Sequence, residues 1–352
     1  MKVKEINIGG RMVGDGHPVY LIAEIGSNHC NDKAVVYRLI DSAAEAGFDA
    51  VKFQTYEPLE VFSGKITTTS VKLDNIYGHH PWVDVARDRI LMPRDWFAEM
   101  FAYARQKQLQ VFSTVHSRRD AEFLMPFDPP VFKVASIDVT YLDFLADLAA
   151  FKKPIILSTG MHYLGEIEDA VETILAVGNF DLALLHCVSN YPPRPEDVNL
   201  NNITMLQKAF ELPVGFSDHH PENMMDVAAV ALGACIIEKH ITLDRTLVGP
   251  DHPFALDPAA MKDLVKSVRD TEKALGSYKR QLSPSELKSR LMTRRSFVAR
   301  FTIKKGDPLT AENVKLTRPG TGIHPIFKQQ VLGRKAAVDI EKEDVILWNM
   351  IQ

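Results

Sequence analysis

The sequence predicts an α/β protein: a closed (β/α)8 TIM barrel followed by a small, mostly β domain. Three observations lead there. Short runs rich in Val, Ile, Leu and Phe alternate with longer amphipathic stretches from near residue 19 to near residue 275, which is a βα rhythm. Eight such runs occur, within the roughly 250 residues that a (β/α)8 barrel needs. Past Leu282-Ser283-Pro284-Ser285 the rhythm stops, and short strand-like runs separated by Gly- and Pro-containing turns replace it.

The first strand, 19–26, runs into Ala23-Glu24-Ile25-Gly26-Ser27-Asn28-His29. A doubly wound open sheet would carry a Gly-rich phosphate turn at that point, and this is not one, so the barrel is preferred. Helix 32–46 follows, its apolar residues three to four apart, and then strand 49–55. Residues 58–92 form an unusually long insertion containing Thr67-Thr68-Thr69-Ser70 and His79-His80. Such excursions cover a binding site or pack an interface. Helix 94–108 leads to strands 110–116, 131–136 and 154–160. Helix 164–177, strand 181–188, strand 213–219, helix 222–232, strand 235–242 and helix 258–275 complete the ring. The expected divisions are a barrel over 1–282, a linker over 283–292 and a β domain over 293–352 with strand-like runs 296–301, 336–340 and 345–348.

Composition narrows the function. With 46% hydrophobic residues the chain can bury a large core, and a net charge of −4 supplies no basic field for nucleic acid or acidic lipid. No apolar run approaches membrane-spanning length. A cytoplasmic enzyme acting on small molecules is expected, with no nucleic-acid or membrane partner. Cys30, Cys187 and Cys235 are far apart and lack zinc-ligand spacing, so they are expected as reduced thiols.

In a parallel barrel the chemistry gathers at the carboxyl ends of the strands. In strand order those ends offer Glu24; Lys52 and Gln54; Ser113 and Thr114; Lys133, Ser136 and Asp138; Ser158 and Thr159; Ser189, Asn190 and Tyr191; Ser217 and His219; and Lys239 and His240. Lysines as point charges among hydroxyls suit a small phosphorylated carboxylate. The runs Gly215-Phe216-Ser217-Asp218-His219 and Ile237-Glu238-Lys239-His240 end in groups able to hold a metal or an anion.

Several of these motifs, in this order, resemble the sialic acid synthase family: Ala23-Glu24-Ile25-Gly26, Val51-Lys52-Phe53-Gln54-Thr55, Ser158-Thr159-Gly160-Met161, Gly215-Phe216-Ser217-Asp218-His219 and Glu238-Lys239-His240. Arg294-Arg295-Ser296 and Arg318-Pro319-Gly320-Thr321-Gly322-Ile323 resemble that family's carboxy-terminal SAF (antifreeze-like) domain. The resemblance implies a synthase that condenses phosphoenolpyruvate with the open-chain aldehyde of an N-acylated mannosamine-type sugar, releasing phosphate. It implies a divalent metal, Mn2+ or Mg2+, on His219 and His240, and Glu24 as the carboxylate that handles protons. Lys52, Thr114, Lys133, Ser136, Ser189 and Ser217 match the positions that hold phosphoenolpyruvate, and Gln54, Tyr191 and Asp251 those that touch the sugar. Arg318 matches an arginine sent into the neighbouring barrel of a domain-swapped homodimer. Asp138 stands where the family often has Glu, and Ser189, Ala255 and Thr321 also depart from common family residues, so the sugar is the least determined part. N-acetylmannosamine is the first choice, with legionaminate- or pseudaminate-type and spore-coat precursors as alternatives.

Two other classes compete. A Schiff-base aldolase would use Lys52, Lys133 or Lys239 as an amine nucleophile. A non-catalytic carbohydrate- or ice-binding protein is suggested only by the SAF resemblance, and leaves the polar ring at the strand ends without a purpose.

Overall fold

Period-two alternation along the strands decides which side chains enter the barrel. The computed structural model of the chain describes residues 5–352; the first four residues of the expected barrel domain lie outside it. Eight parallel strands close on themselves: β3 (Tyr20–Glu24), β4 (Ala50–Thr55), β5 (Gln110–Val115), β6 (Phe132–Val134), β7 (Ile155–Ser158), β8 (Leu182–Cys187), β9 (Val214–Asp218) and β10 (Ile236–His240), with β10 paired to both β9 and β3. Each lies inside a run expected from the sequence and is shorter, because the last residues of several runs leave the ladder to form loops.

Val51 and Phe53 on β4, like Leu21 and Ala23 on β3, face outward and pack on the helices in the main apolar core. Tyr20, Ile22, Ala50, Phe112, Ile156, Ala183, Leu185 and Ile236 face inward and fill the lower barrel. Gly215 on β9 is part of that layer: a Cβ there would sit 2.5 Å from Ile236 Cβ and 2.6 Å from Leu185 Cδ2, so only glycine fits. The floor is closed by an antiparallel hairpin absent from the sequence reading, β1 (Ile6–Ile8) and β2 (Arg11–Val13), whose Ile6, Ile8 and Val13 join the interior cluster. Each such fully buried aliphatic side chain contributes about 1.5–3 kcal/mol. With the floor filled by apolar side chains, polar groups can converge only at the other end.

Helix Lys33–Ala46 starts where the Asp32 side chain accepts from Ala34 N–H and stops at Gly47, φ +92°. Helices Arg118–Leu124, Leu142–Ala150 and Asn201–Phe210 are among those that the sequence reading did not name. The insertion 58–92 folds into short helices around its own cluster of Tyr56, Trp82, Val85, Ala86 and Ile90. No described helix is long and apolar enough to cross a membrane. The three cysteines are unpaired, Cys30 exposed and the other two buried.

Residues Ser277–Gln352 form a second compact unit. The stretch expected as a linker is largely helix, Pro284–Thr293, closed by a reciprocal Ser283–Glu286 capping box. Strands β11 (Ser296–Ala299) and β12 (Val314–Thr317) pair antiparallel. The runs 336–340 and 345–348 contribute isolated bridges, Ile303 to Ile340, Ala336 to Ile351 and Val298 to Val345, rather than strands. Phe297, Ile303, Leu309, Ile323, Val331 and Ile346 give this unit a core of its own.

Candidate active site

A cavity of about 300 Å³ opens at the carboxyl ends of the barrel strands. Of the residues expected at the site, Glu24, Lys52, Gln54, Thr114, Lys133, Ser136, Ser189, Tyr191, Ser217, His219 and His240 line it. Ser113 does not; it bonds Thr55 Oγ1 at 2.7 Å on the outer face of β5. Strand β10 needs a larger correction. Lys239 was expected at the mouth, yet alternation turns it outward, where Nζ bonds Asp218, Asp226 at 2.8 Å and Glu222 O at 3.0 Å. Its neighbour Glu238 faces in with His240 and lines the cavity. Residues 238 and 240 share a face in any strand, and that signal was present in the sequence.

Glu238 is the hub of a buried polar layer. Its Oε1 lies 3.5 Å from Lys52 Nζ and 3.9 Å from Lys133 Nζ, and accepts from Ser217 Oγ at 3.2 Å. Lys52 Nζ also meets Glu24 Oε2 at 2.6 Å and donates to Thr114 Oγ1 at 2.8 Å. Gln54 Nε2 donates to the other Glu24 oxygen at 2.8 Å. Lys133 Nζ donates to Ser158 Oγ at 2.7 Å and to Val134 O at 2.9 Å. Two amines therefore sit among a set of hydroxyls in the cavity.

Burial pushes the Glu24 carboxyl up to about 7, Glu238 adding to the shift and Lys52 opposing it. Burial also works against the charged form of Lys52, but Glu238 and Glu24 outweigh it and hold that ammonium above its ordinary range. For Lys133 burial wins, with Lys52 repelling, and its pKa falls despite Glu238. Burial would raise Glu238, yet Lys133 and Lys52 together pull it below the usual carboxylate range. Glu24 is thus the one cavity carboxyl able to gain and lose a proton near neutrality.

His219 and His240 face each other with ring centroids 5.5 Å apart, and Phe254 packs against both. Tyr191, largely exposed, lays its ring 4.1 Å from that of His219. Burial lowers both imidazoles to about 3, with His240 and Lys52 respectively adding to the shift, so both are neutral at pH 7 with a free lone pair. His219 Nδ1 bonds Val188 O at 3.3 Å, which leaves Nε2 for a ligand. The buried Nδ1 of His240 has no hydrogen-bond partner. Two neutral, oriented imidazoles fit a divalent ion that keeps open positions. Among the described residues no group of three or more His, Cys, Asp or Glu side chains gathers around one point for a metal, so a closed cage is not what the fold provides.

Three expected site residues lie elsewhere. Asp138 is turned to His116, Oδ2 to Nδ1 2.7 Å, and it is His116 that lines the cavity. Asp251 accepts from Ser27 Oγ at 2.8 Å and stands 3.6 Å from His240 Nδ1, outside the lining. Arg318 is an exposed residue of the second unit. Near the hydroxyls, Gly160 N–H donates to Ser136 Oγ at 2.9 Å, and a Cβ on Gly160 would collide with Ser189 Oγ at 2.6 Å. Backbone and hydroxyls can meet here only because residue 160 lacks a side chain.

Comparison with known proteins places this barrel and its appended unit. The NeuB family pattern matches residues 39–280, more than half of the chain, and the SAF domain pattern matches residues 294–352. The chain belongs to the NeuB family. It is 38% identical over 332 residues to the pseudaminic acid synthase of Campylobacter jejuni, covering 93% of this chain and 95% of that one. It is 35% identical over 343 residues to the N,N'-diacetyllegionaminic acid synthase of Legionella pneumophila, covering 96% of each. The solved structure of an N-acetylneuraminic acid synthetase from Leptospira borgpetersenii superimposes with a TM-score of 0.72 at 33% identity, over 82% of this chain and 95% of that one. The family resemblance read from the motifs therefore extends over nearly the whole chain, and this NeuB protein is an enzyme of the nonulosonate-synthase class. Its relatives are named for different acids, so family membership leaves the sugar open.

Proposed function

We propose that this NeuB enzyme condenses phosphoenolpyruvate with the open-chain aldehyde of an N-acylated mannosamine-type sugar, N-acetylmannosamine first among them. The products are a nonulosonic acid and phosphate. The observation that carries the reading is the convergence of Lys52 and Lys133 with Thr114, Ser136, Ser158, Ser189 and Ser217 in one cavity. Amines supply charge to a phosphate and a carboxylate, and hydroxyls supply directional donors.

Carbon 3 of phosphoenolpyruvate bonds to the aldehyde carbon, and the aldehyde oxygen takes a proton. Water adds to the electron-poor C2 and loses a proton. The C2–O bond to phosphate then breaks as the new C2 hydroxyl gives up its remaining proton, which the departing phosphate takes, leaving the 2-keto acid. Glu24, poised near neutrality, handles a proton, and its anion stabilises positive charge at C2. Gln54 orients that carboxylate through its 2.8 Å bond. Lys52 and Lys133 hold the phosphate and carboxylate while the sugar enters past Tyr191. His219 and His240 would hold a divalent ion, Mn2+ or Mg2+, and such an ion would supply Lewis acidity toward the aldehyde oxygen.

The test is phosphate release from phosphoenolpyruvate against a panel of N-acylated hexosamines, with manganese and with chelator. Release that needs both sugar and metal, and that is abolished by His219→Ala with His240→Ala, is expected. Full activity after exhaustive chelation sinks the metal assignment; no release with any sugar sinks the synthase reading. Arg318 belongs to the same reading as a residue delivered to the barrel of a second chain in a domain-swapped homodimer. Mixing inactive Arg318→Ala and Lys52→Ala chains is then expected to restore activity, and a mixture as inactive as its parts contradicts the swap.

An imine-forming aldolase has one observation in its favour, the lowered pKa of Lys133. Lys239 is removed from that scheme by its outward ion pairs. Borohydride reduction with pyruvate separates the two, since only the aldolase leaves pyruvate attached to Lys133.

A further inference from the structure

Asp138 does not reach the cavity, and the side chain it holds does. Strands β5 and β6 are parallel neighbours, paired Thr114 to Lys133 and Val115 to Val134. His116 follows the end of β5, and Asp138 closes the short helical turn Ser136–Asp138 after β6. Their side chains are 8% and 11% exposed and meet at 2.7 Å through Nδ1 and Oδ2. Tyr56, anchored in the apolar cluster of the insertion, sets its ring edge-on to the His116 ring at 5.2 Å and 81°. The imidazole is thus fixed from two sides, and it lines the same cavity as Lys52, Lys133 and Ser136.

We propose that His116 is the residue by which this enzyme selects its acceptor sugar, and that Asp138 is a positioning residue acting through it. This rests on the synthase reading above. In the neutral imidazole, a carboxylate accepting from Nδ1–H fixes the tautomer whose Nε2 carries a lone pair. Nε2 then accepts from a donor, either a hydroxyl or the acylamido N–H of the sugar. The lysines and hydroxyls of the cavity supply mainly donors, suited to phosphate and carboxylate, so His116 offers the opposite polarity to the second substrate. A sugar lacking the matching donor leaves a nearly buried acceptor unpaired, a mismatch that sites select against strongly. Asp138 sets the ring's tautomer and tilt without touching the ligand, so the shorter carboxylate at position 138 and the histidine at 116 form one device.

The experiment is steady-state kinetics with phosphoenolpyruvate and a set of N-acylated hexosamines with their single-deoxy analogues. His116→Phe, which retains a ring for Tyr56 to pack on, is expected to raise the sugar KM by about 10-fold or more and to leave the phosphoenolpyruvate KM within about twofold. It is also expected to erase the wild-type preference for one parent sugar over its deoxy analogue. His116→Gln, which keeps a side-chain acceptor, is expected to recover part of the loss and serves if the Phe variant does not fold. Asp138→Asn is expected to weaken sugar binding in the wild type and to add nothing in the His116→Phe background. Unchanged sugar KM and preference in both His116 variants, parallel changes for both substrates, or a full Asp138→Asn effect without His116 would each overturn the inference. A wild-type chain that releases no phosphate with any sugar overturns the synthase reading instead, before any variant is compared.

Discussion

Replacing Glu24 with Gln is expected to lower the rate of phosphate release by about 10²–10⁴-fold, the range a positioned acid or base supplies, with little change in the phosphoenolpyruvate KM. The substitution is nearly isosteric and keeps an oxygen for the Gln54 amide, so the cavity retains its shape. What it removes is a titratable proton and a negative charge beside C2. The electrostatics make Glu24 the group to test: burial and Glu238 hold its carboxyl near 7, whereas the two lysines hold Glu238 below the usual carboxylate range. Two carboxyls in one cavity with pKa values driven apart is the pattern that separates a proton carrier from a fixed charge. Pre-steady-state phosphate release distinguishes the step, and a Glu24→Gln enzyme within about threefold of wild type would remove Glu24 from the chemistry.

The second large effect is on stability. Lys239→Met is expected to destabilise the barrel by about 3–5 kcal/mol, because it strips the cation from two buried carboxylates. Lys239 is 1% exposed and bonds Asp218 and Asp226, both of which are also shut away from solvent. Burial already pushes the Asp226 carboxyl up to about 7 against the pull of Lys239, and without the lysine nothing opposes that penalty. At 2–4 °C per kcal/mol for a domain of this size, the melting temperature should fall by roughly 6–20 °C. A scan that moves by less than about 2 °C would mean that the ion triad is replaceable by packing alone. The triad also ties the ends of β9 and β10 to helix Met224–Ala231, beside His219, which follows β9, and His240, the last residue of β10.

The barrel was legible because its strands are buried on both faces and read as apolar runs, while its helices repeat every three to four residues. The β1–β2 hairpin was not, since three-residue strands carry too few alternations to register. In the tail, Ala336–Ile340 and Val345–Trp348 have strand composition but find only isolated bridges in a unit held by turns. At the site, motifs located Glu24, the two cavity lysines and the histidine pair. Lys239 and Glu238 exchange places relative to the sequence expectation because successive residues of a strand occupy opposite faces, and it is Glu238 that shares the inner face with His240. The pairing of Asp138 with His116 was beyond sequence reasoning for another reason: it joins two strand ends 22 residues apart, and only the register of β5 against β6 brings them within 2.7 Å.

The most direct measurement follows the bridging oxygen of phosphoenolpyruvate. With 18O in that position and a sugar that the enzyme turns over, all label is expected in the released phosphate, because the C2–O bond breaks after water has added to C2. Label retained in the keto acid would mean that the P–O bond breaks instead, and would contradict condensation by the route assigned to Glu24, Lys52 and Lys133.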